Sequence, residues 1–266
     1  MSRSGPTPGA GTGYPGGAAQ GEAAARLLAK GAVTIKGRIP WSSNATYLVE
    51  VSPAPEGPGP GASPAGQPPP PALAIYKPER GERPLWDFGR GLWRREVASY
   101  LMAAHLGWDI VPVTVAREDA PLGQGSLQLF VDAEADEHYF TLVEVAAHRR
   151  QLRQMAAFDI VVNNADRKSG HCLLGRDGRL WAIDNGLTFH VEPKLRTVIW
   201  DFAGQKVDDD LVGQLAMVGE GDLPPGLAGL LEEQELEAVS RRAARLARRS
   251  RFPQPSGDFP YPWPLI

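Results

Sequence analysis

The sequence predicts an α+β protein in which a small β-rich lobe precedes a larger, mostly helical lobe. The β-rich runs come first: VTIKGRI and TYLVEV lie between Val33 and Val51, and ALAIYKP follows them. Apolar residues then recur at helical spacing from Leu92 to Leu106. From about Lys206 the pattern is mostly helical, and EEQELEAVSRRAARLARRSR is its strongest amphipathic stretch. Strands with one helix, followed mainly by helices, indicate this two-part arrangement.

Shorter elements are predicted between these regions. A short helix is expected from Ala23 to Lys30, and strands are expected in DIVPVTVAR and SLQLFVD. Residues Thr141 to Ala157 are predicted to form one long helix, because apolar residues track one side of it. HCLL and RLWAID are predicted to form a hairpin around an Asp-Gly turn.

Segments rich in Gly, Pro and small residues divide the chain. Residues 1–20 are expected to be a disordered tail, since they contain almost no large apolar side chains. The Pro/Gly-rich residues 52–71 separate two strand candidates, and we expect them to form an extended loop that projects from the sheet. A Pro-rich tail occupies residues 253–266. The predicted N-lobe therefore covers residues 21–131 and the predicted C-lobe covers residues 132–252.

Composition narrows the class of protein. The chain has 266 residues and a formal net charge of −3, which argues against nucleic acid as its main partner. Its one cysteine, Cys172, lies in an apolar run and is expected to be a core residue rather than a reactive thiol. No run of apolar residues is long enough for a transmembrane helix, and the N-terminal sequence lacks an apolar signal stretch. A cytoplasmic protein is the expectation.

Phosphoryl transfer needs a small-residue turn over the phosphates, a lysine held by a carboxylate, and acids beside the transferred group. The stretch SSNATYLV fits the turn, because Ser42, Ser43 and Asn44 combine backbone N–H groups with little bulk. An ordinary hairpin turn would also explain it. Lys77 ends an apolar strand, where a lysine is unfavourable unless paired, and Glu96 in the following helix is its natural partner. A lysine that simply points into water is the alternative.

The loop NNADRKSGH carries the most informative acid. Asp166 lies in this polar loop just before a strand, and Asp184 ends a second strand before Asn-Gly. The hairpin between them folds back and brings both carboxylates to one end. There, Asp166 could act as a base or orienting group and Asp184 as a metal ligand. Two aspartates that merely cap turns are the alternative.

Together these motifs resemble a known family. SSNATYLV, YKP, REVASYLMAAHLGWDIVP, SLQLFV, FDIVVNNADR and AIDNGLTF occur in the order seen in type II phosphatidylinositol 4-kinases and related bacterial phosphatidylinositol 3-/4-kinase-like proteins. The match spans roughly residues 33 to 205, and it extends more distantly to eukaryotic protein kinases. The resemblance implies a two-lobed protein-kinase-like fold with ATP between the lobes.

The resemblance also implies roles for individual residues. Lys77 would contact the α- and β-phosphates and pair with Glu96, Asp166 would be the catalytic-loop aspartate with Arg167 beside it, and Asp184 would bind Mg²⁺ or Mn²⁺. The phosphate-covering loop would consist of Ser42, Ser43, Asn44, Ala45 and Thr46. The hinge strand that contacts adenine would consist of Gln128, Leu129, Phe130 and Val131.

The sequence departs from the family pattern at His171. Kinases of this type usually place an asparagine five residues after the loop aspartate, where it holds a second metal position. Imidazole suits Mn²⁺ or Zn²⁺ better than Mg²⁺. A one-metal kinase, a Mn²⁺-preferring kinase and a nucleotide-binding pseudokinase all stay open, as does a purely structural His171. Lys168 is a further departure, because the lipid kinases often have histidine there.

The resulting hypothesis is an enzyme that transfers the γ-phosphoryl group of ATP to a hydroxyl acceptor. That acceptor could be a lipid headgroup, a small molecule or a protein. The alternative is a pseudokinase or scaffold that acts through protein partners, and transfer of a nucleotide moiety such as AMP is a third possibility. His171 favours the pseudokinase, whereas joint retention of Lys77, Glu96, Asp166 and Asp184 favours the enzyme.

Overall fold

The computed structural model describes residues 18–40, 42–53, 70–257 and 259–266. Its N-terminal part is a five-stranded antiparallel sheet in the order β1-β2-β3-β5-β4. The strands are β1 (Ala32–Arg38), β2 (Tyr47–Ser52), β3 (Ala72–Pro78), β4 (Thr114–Arg117) and β5 (Gly125–Leu129). The helices of this lobe are α1 (Ala18–Lys30) and α2 (Leu92–His105).

The two faces of the sheet serve different purposes. In β3, Ala72, Ala74 and Tyr76 are buried and pack with Leu28 of α1 in one apolar cluster. Because side chains alternate along a strand, Lys77 points to the opposite face. That face is covered by α2, whose Glu96 contacts Lys77. Alternation along β3 therefore directs its buried apolar side chains toward α1 and places Lys77 on the opposite face, where the candidate site lies.

Strands β2 and β3 pair directly although a long segment separates them. Val51 is opposite Ala72, and Tyr47 is opposite Tyr76. Residues 54–69 of the Pro/Gly-rich segment lie outside the described residues. So do residues 1–17, where most of the predicted disordered tail falls. Helix α1 begins at Ala18, earlier than the sequence pattern predicted.

The C-terminal part is mainly helical. Its helices are α3 (Tyr139–Leu142), α4 (Arg149–Val162), α5 (Asp209–Gly219) and α6 (Glu233–Arg249), and a hairpin of β6 (Cys172–Leu174) and β7 (Leu180–Ala182) lies among them. One core joins these elements to α2, through buried residues such as Met102, Phe158, Val161, Leu215 and Val239. The predicted α+β arrangement of a sheet lobe and a helical lobe is confirmed.

The prediction of one long helix from Thr141 to Ala157 is wrong. α3 ends at Leu142, a 3₁₀ turn covers Ala146–His148, and α4 begins at Arg149. Val145 has an extended backbone (φ −95°, ψ 112°) and is 43% exposed, whereas Leu142 and Leu152 are buried. The apolar residues therefore belong to two helices with different axes, and packing of both leucines in the core overrides the apparent single stripe.

Three smaller sequence predictions concern Cys172, the Pro-rich residues 253–266 and membrane-spanning helices. Cys172 is buried, and burial raises the pKa of its thiol to about 12, as expected for a core residue. The described residues of 253–266 form no helix or strand, in keeping with their proline content. None of the helices that the structure describes combines the length and apolar character needed to cross a membrane.

Candidate active site

Lys77 connects the two lobes at the centre of the site. It lies one residue before the end of β3, and its ammonium contacts Glu96 of α2 and lies 2.8 Å from Asp184 Oδ1 in the turn after β7. The Glu96 side chain is 3% exposed, whereas the Asp184 side chain is 51% exposed. One cation thus holds a buried carboxylate on one side and a solvent-facing carboxylate on the other.

The turn after β7 is shaped to present Asp184. The residue has a left-handed backbone (φ 58°), which aspartate tolerates better than most side chains. The amide of the next residue, Asn185, donates to Glu96 Oε2 at 3.0 Å. At Gly186 an added Cβ would lie 3.3 Å from Glu96 Oε1, so glycine lets the turn approach α2 closely. Both oxygens of Glu96 are therefore engaged, one by each lobe.

The loop after α4 brings Asp166, Lys168 and His171 to the same place. The Asp166 amide donates to Asn164 Oδ1 at 2.9 Å, and Lys168 Nζ lies 3.2 Å from Asp166 Oδ2. His171 Nδ1 lies 3.0 Å from the Asp166 carbonyl, and its Nε2 lies 3.4 Å from Asp184 Oδ2. The structure thus brings together Lys77, Glu96, Asp166, His171 and Asp184, as expected from the order of the motifs.

Arg167 lies next to Asp166 in sequence but points the other way. Its side chain is fully buried and pairs with Asp159 of α4 at 3.0 Å. It also donates to the Ile183 carbonyl and to Asn185 Oδ1, both at 2.6 Å. Arg167 therefore connects the loop, α4 and the Asp184 turn from beneath the site.

Lys168 lies beside Asp166, although the sequence predicted no role for it. Its side chain is 20% exposed and faces the Asp166 carboxylate. The available signal was its position two residues after the loop aspartate, because every second side chain of an extended segment shares a face. Lys168 has an extended backbone and is the N-cap residue of the 3₁₀ turn Ser169–His171.

The predicted phosphate turn lies between β1 and β2. Ser42 Oγ and Thr46 Oγ1 are 2.8 Å apart, and the Ala45 amide donates to Gly81 at 2.9 Å. Asn44 Oδ1 accepts from the Arg83 amide at 2.9 Å. The neighbouring Trp41 lies outside the described residues. Within the described part of the chain, no bond joins this turn to Lys77 or Asp184, and the amides of Ser43 and Asn44 have no backbone acceptor.

The predicted hinge begins in β5 and continues beyond it. The Gln128 side chain is buried and donates to Thr114 Oγ1 at 2.9 Å, so it supports the sheet. The amides of Leu129 and Phe130 are also used, by Val113 (2.8 Å) and Leu73 (3.0 Å). Among the described residues, neither backbone group of Val131 has a backbone partner. Val131 is therefore the position at which a ligand could bind to the chain that links the lobes.

Neighbouring charges and burial shift the pKa values of the site residues in different directions. The charge of Lys77 holds the pKa of Asp184 well below its ordinary value. Burial alone would lower the pKa of Lys77, but Asp184 and Glu96 outweigh it and raise that pKa. Burial raises the pKa of Asp166, against the opposing charge of Lys168. Burial also lowers the pKa of His171 to about 4, so its imidazole is neutral at pH 7.

The donors present fit a divalent cation that is also bound by phosphates. Asp184 offers a half-exposed carboxylate, and the neutral His171 presents Nε2 toward it once Nδ1–H donates to the Asp166 carbonyl. In the described ranges, no group of three or more His, Cys, Asp and Glu side chains could hold a metal alone. Mg²⁺ and Mn²⁺ at phosphoryl-transfer sites are typically held by one or two protein ligands plus substrate oxygens.

Comparisons with known proteins support the fold. No protein-family model matches the chain. Protein Rv2133c of Mycobacterium tuberculosis strain H37Rv is 38% identical over an alignment 277 positions long, which covers 90% of this chain and 94% of the relative. Among solved structures, hydra Fam20 with sugar matches with a TM-score of 0.53 and 12% identity, over 88% of this chain and 90% of that chain.

Two further solved structures are similar at a lower level. The Helicobacter pylori proinflammatory kinase CtkA has a TM-score of 0.47 and 10% identity, over 85% of this chain and 94% of that chain. The golgi casein kinase has a TM-score of 0.49 and 12% identity, over 88% of this chain and 76% of that chain. The sheet lobe, the helical lobe and the match to Fam20 together identify a kinase-like fold.

Proposed function

Because this chain belongs to the family of protein Rv2133c and has a kinase-like fold, we propose that it is an ATP-dependent phosphotransferase with a hydroxyl acceptor. One observation carries the proposal: Lys77 contacts Glu96 and Asp184 at the same time. The buried carboxylate of Glu96 already balances the charge of Lys77, so the fold does not require the second, solvent-facing carboxylate of Asp184. Its position suits a cation that neutralises phosphates while Asp184 turns to a metal.

Each residue of the site has a defined task in this proposal. Lys77, held by Glu96, neutralises the phosphates, and Asp166 orients the acceptor hydroxyl and accepts its proton. Lys168 stabilises the ionised form of Asp166 and adds positive charge beside the transferred group. When bound, a divalent cation at Asp184 and His171 would offset charge on the phosphate oxygens. Arg167 positions the loop and does not touch substrate.

The nucleotide would lie between the lobes, and sequence and geometry suggest its contacts. Ser42 to Thr46 would cover the phosphates, with the amides of Ser43 and Asn44 as donors. Val131 would bind the adenine edge through its backbone. Ile75 and Leu48 pair across β2 and β3 on the face that carries Lys77, and both are only partly buried. They would form an apolar wall against the base.

We further propose a type of phosphotransferase and a preferred metal ion. The order of motifs favours the phosphatidylinositol 3-/4-kinase-like type, with a lipid headgroup, a small molecule or a protein side chain as acceptor. The imidazole of His171 favours Mn²⁺ over Mg²⁺, since Mg²⁺ prefers oxygen ligands. A nucleotide-binding scaffold without catalysis is the competing function, because His171 replaces the usual asparagine. The paired Lys77 and Glu96 argue against that alternative.

The first test is a thermal melt with ATP plus Mg²⁺ or Mn²⁺, in wild type and in Asp184→Asn. Ligand at 100 times its dissociation constant stabilises by about 2.7 kcal/mol, which corresponds to several degrees for a chain of this size. We expect a metal-dependent shift that Asp184→Asn removes. Asp177→Asn is the matched control, because Asp177 is an exposed aspartate in the turn between β6 and β7.

The outcomes separate the alternatives. A shift lost only in Asp184→Asn, together with phosphate transfer to an acceptor, supports the proposed enzyme. A shift without any turnover would support the nucleotide-binding scaffold. An unchanged shift in Asp184→Asn would contradict the assignment of the site. A larger shift with Mn²⁺ that disappears in His171→Asn would support His171 as a metal ligand.

A further inference from the structure

The segment between β3 and α2, residues 79–94, borders one side of the site; we call it the cleft rim. Near its start, Gly81 and Arg83 bond to the turn that contains Ala45 and Asn44, both at 2.9 Å. Further along, Asp87 pairs with Lys194 at 3.1 Å in the segment that follows the Asp184 turn. The cleft rim therefore runs from the proposed phosphate turn of the sheet lobe to the helical lobe.

The acids of the cleft rim are engaged by groups around them. Glu79 Oε2 accepts from Trp93 Nε1 at 2.9 Å. Glu82 accepts from the Gly91 amide at 2.8 Å and from the Trp93 amide at 3.0 Å. Asp87 forms an ion pair with Lys194, and the side chains of the two residues are 12% and 9% exposed, respectively. These bonds brace the loop and direct its negative charge inward.

The arginines of the cleft rim have the opposite arrangement. The four arginines are all exposed; they are Arg80, Arg83, Arg90 and Arg94. Within the part of the chain that the structure describes, no carboxylate lies within ion-pair distance of any of them. Their guanidinium groups donate no hydrogen bond to a described residue, and the contact of Arg94 with the Trp93 ring leaves its N–H groups free. The chain as a whole has a net charge of −3, so this positive charge is local.

We propose that the cleft rim is an anion site that binds a phosphate group. The planar guanidinium fork pairs with phosphate oxygens through bidentate hydrogen bonds. The bonds of Glu82 to the Gly91 and Trp93 amides hold the two ends of the cleft rim together, so arginines of both ends can share the oxygens of one phosphate. That the phosphate belongs to the acceptor of the transfer reaction is a step that rests on the proposed function. The phosphate could be carried by a phospholipid headgroup or by a soluble phosphate ester, since both present the same chemistry.

The test compares arginine pairs that change the net charge equally. The rim variant is Arg83→Ser with Arg90→Ser, and the control is Arg245→Ser with Arg248→Ser on α6, where both arginines are exposed and likewise lack an ion pair among described residues. Binding is measured by co-sedimentation with phosphatidylglycerol or phosphatidylcholine vesicles. Thermal melts with inorganic phosphate and with glycerol 3-phosphate, in the presence of ADP, provide the soluble arm.

We expect wild type and the control to bind at least one phosphate probe, and the rim variant to bind it about tenfold more weakly. Binding to phosphatidylglycerol vesicles alone assigns the site to a headgroup, and binding to the soluble probes assigns it to an ester. Equal losses in both variants would show general electrostatic attraction and overturn the proposal, as would no binding to any probe. If the rim variant does not fold, Arg80→Ser with Arg94→Ser replaces it.

A separate comparison keeps this proposal distinct from the proposed function. Asp184→Asn should bind the phosphate probes as wild type does, because Asp184 has no contact with the arginines of the cleft rim. Nucleotide-dependent stabilisation should in turn persist in the rim variant. Failure of nucleotide binding with intact probe binding would therefore remove the kinase proposal and leave the anion site.

Discussion

Arg167 and Asp159 form an ion pair that is enclosed by protein on all sides. Both side chains are 0% exposed, and Thr197 Oγ1 adds a hydrogen bond to Asp159 at 3.0 Å. Burial raises the pKa of Asp159, against the opposing charge of Arg167. The pair connects α4 with the loop that carries Asp166. Its loss should therefore affect both stability and the shape of the site.

We expect Asp159→Asn to lower the free energy of unfolding by about 3–5 kcal/mol, because it leaves the guanidinium charge of Arg167 buried without a counter-charge. Urea denaturation measures the change. Glu237→Gln is the matched control, since Glu237 pairs with Arg241 at 3.2 Å on the solvent-facing side of α6. Exposed pairs contribute little. Similar effects of both substitutions would contradict a special role for the buried pair.

Asp166 leads to a prediction about pH. Burial raises its pKa above the ordinary 3.8, and Lys168 is the main opposing charge. A base must be ionised to accept a proton, so kcat should fall as the pH drops through this raised pKa. We expect Lys168→Gln to raise the pKa of Asp166 further and to move the acid limb of the kcat profile to higher pH. An acid limb that stays in place in Lys168→Gln would exclude Asp166 as its source.

The sequence predicted the residues of the loop better than their directions. Asp166 and Arg167 are adjacent, and both were expected at the reaction centre, yet one faces the cleft and the other is buried beneath it. Local backbone conformation decides such directions: residues 166–168 are extended, so Arg167 faces away from Asp166 and Lys168, but the sequence of the loop did not predict that extended backbone. The available signal was Asp159 within the apolar run AAFDIVV, since a buried acid requires a partner.

Among the secondary-structure elements, α2 is the one that joins the lobes. Arg95 donates to the Thr188 carbonyl at 2.5 Å and pairs with Glu235 of α6 at 2.6 Å, with side chains 15% and 11% exposed. The next residue, Glu96, holds Lys77. Neighbouring positions of one helix thus face α6 and β3. Arg95 therefore anchors α2 to α6 directly beside the residue that holds Lys77.

We expect Arg95→Ala to release α2 and weaken the contact between Glu96 and Lys77. Nucleotide-dependent thermal stabilisation should decrease, with KM for ATP raised several-fold and a smaller effect on kcat. Arg241→Ala, which removes an exposed arginine from the same partner helix α6, is the control. If the effect arises from the Arg95–Glu235 pair, Glu235→Gln should add little to Arg95→Ala. Fully additive effects would argue against this pair.

Regular elements could be predicted from periodicity, but their interruptions could not. β1, β2, β3, α2, the β6–β7 hairpin and α6 all lie where alternation or helical spacing indicated them. The break at Val145 was missed because Leu142 and Leu152 both reach the core only if the chain changes direction between them. That requirement comes from tertiary packing, which single-chain patterns do not contain. The role of α1 as the cover of the sheet was missed for the same reason.

For the whole molecule, the C-terminal segment 259–266 joins parts that are far apart in sequence. The Leu265 carbonyl accepts from the Ser169 amide at 2.8 Å in the loop that carries Asp166. The Pro260 carbonyl accepts from the Thr197 amide and from Trp200 Nε1, both at 3.1 Å. All three bonds use the backbone of the segment. The segment therefore contacts the loop that carries Asp166 and the segment around Thr197 through its backbone carbonyls.

We expect deletion of residues 259–266, which removes all three hydrogen bonds, to lower the melting temperature by about 6–12 °C. Each hydrogen bond contributes about 1 kcal/mol net, and 1 kcal/mol corresponds to about 2–4 °C for a chain of this size. The Ser169 and Thr197 amides should also exchange faster with solvent, because their acceptors are lost.

The control keeps the backbone of the segment and changes only its exposed side chains. Phe259→Ser with Trp263→Ser removes aromatic rings that are 77% and 88% exposed, and it should leave amide exchange at Ser169 unchanged. If the deletion also leaves that exchange unchanged, the segment does not brace the loop. If the side-chain variant reproduces the deletion, the rings rather than the backbone carbonyls hold the segment in place. Only faster exchange confined to the deletion fits a backbone brace, which would make residues far from Asp166 in sequence part of the support for its loop.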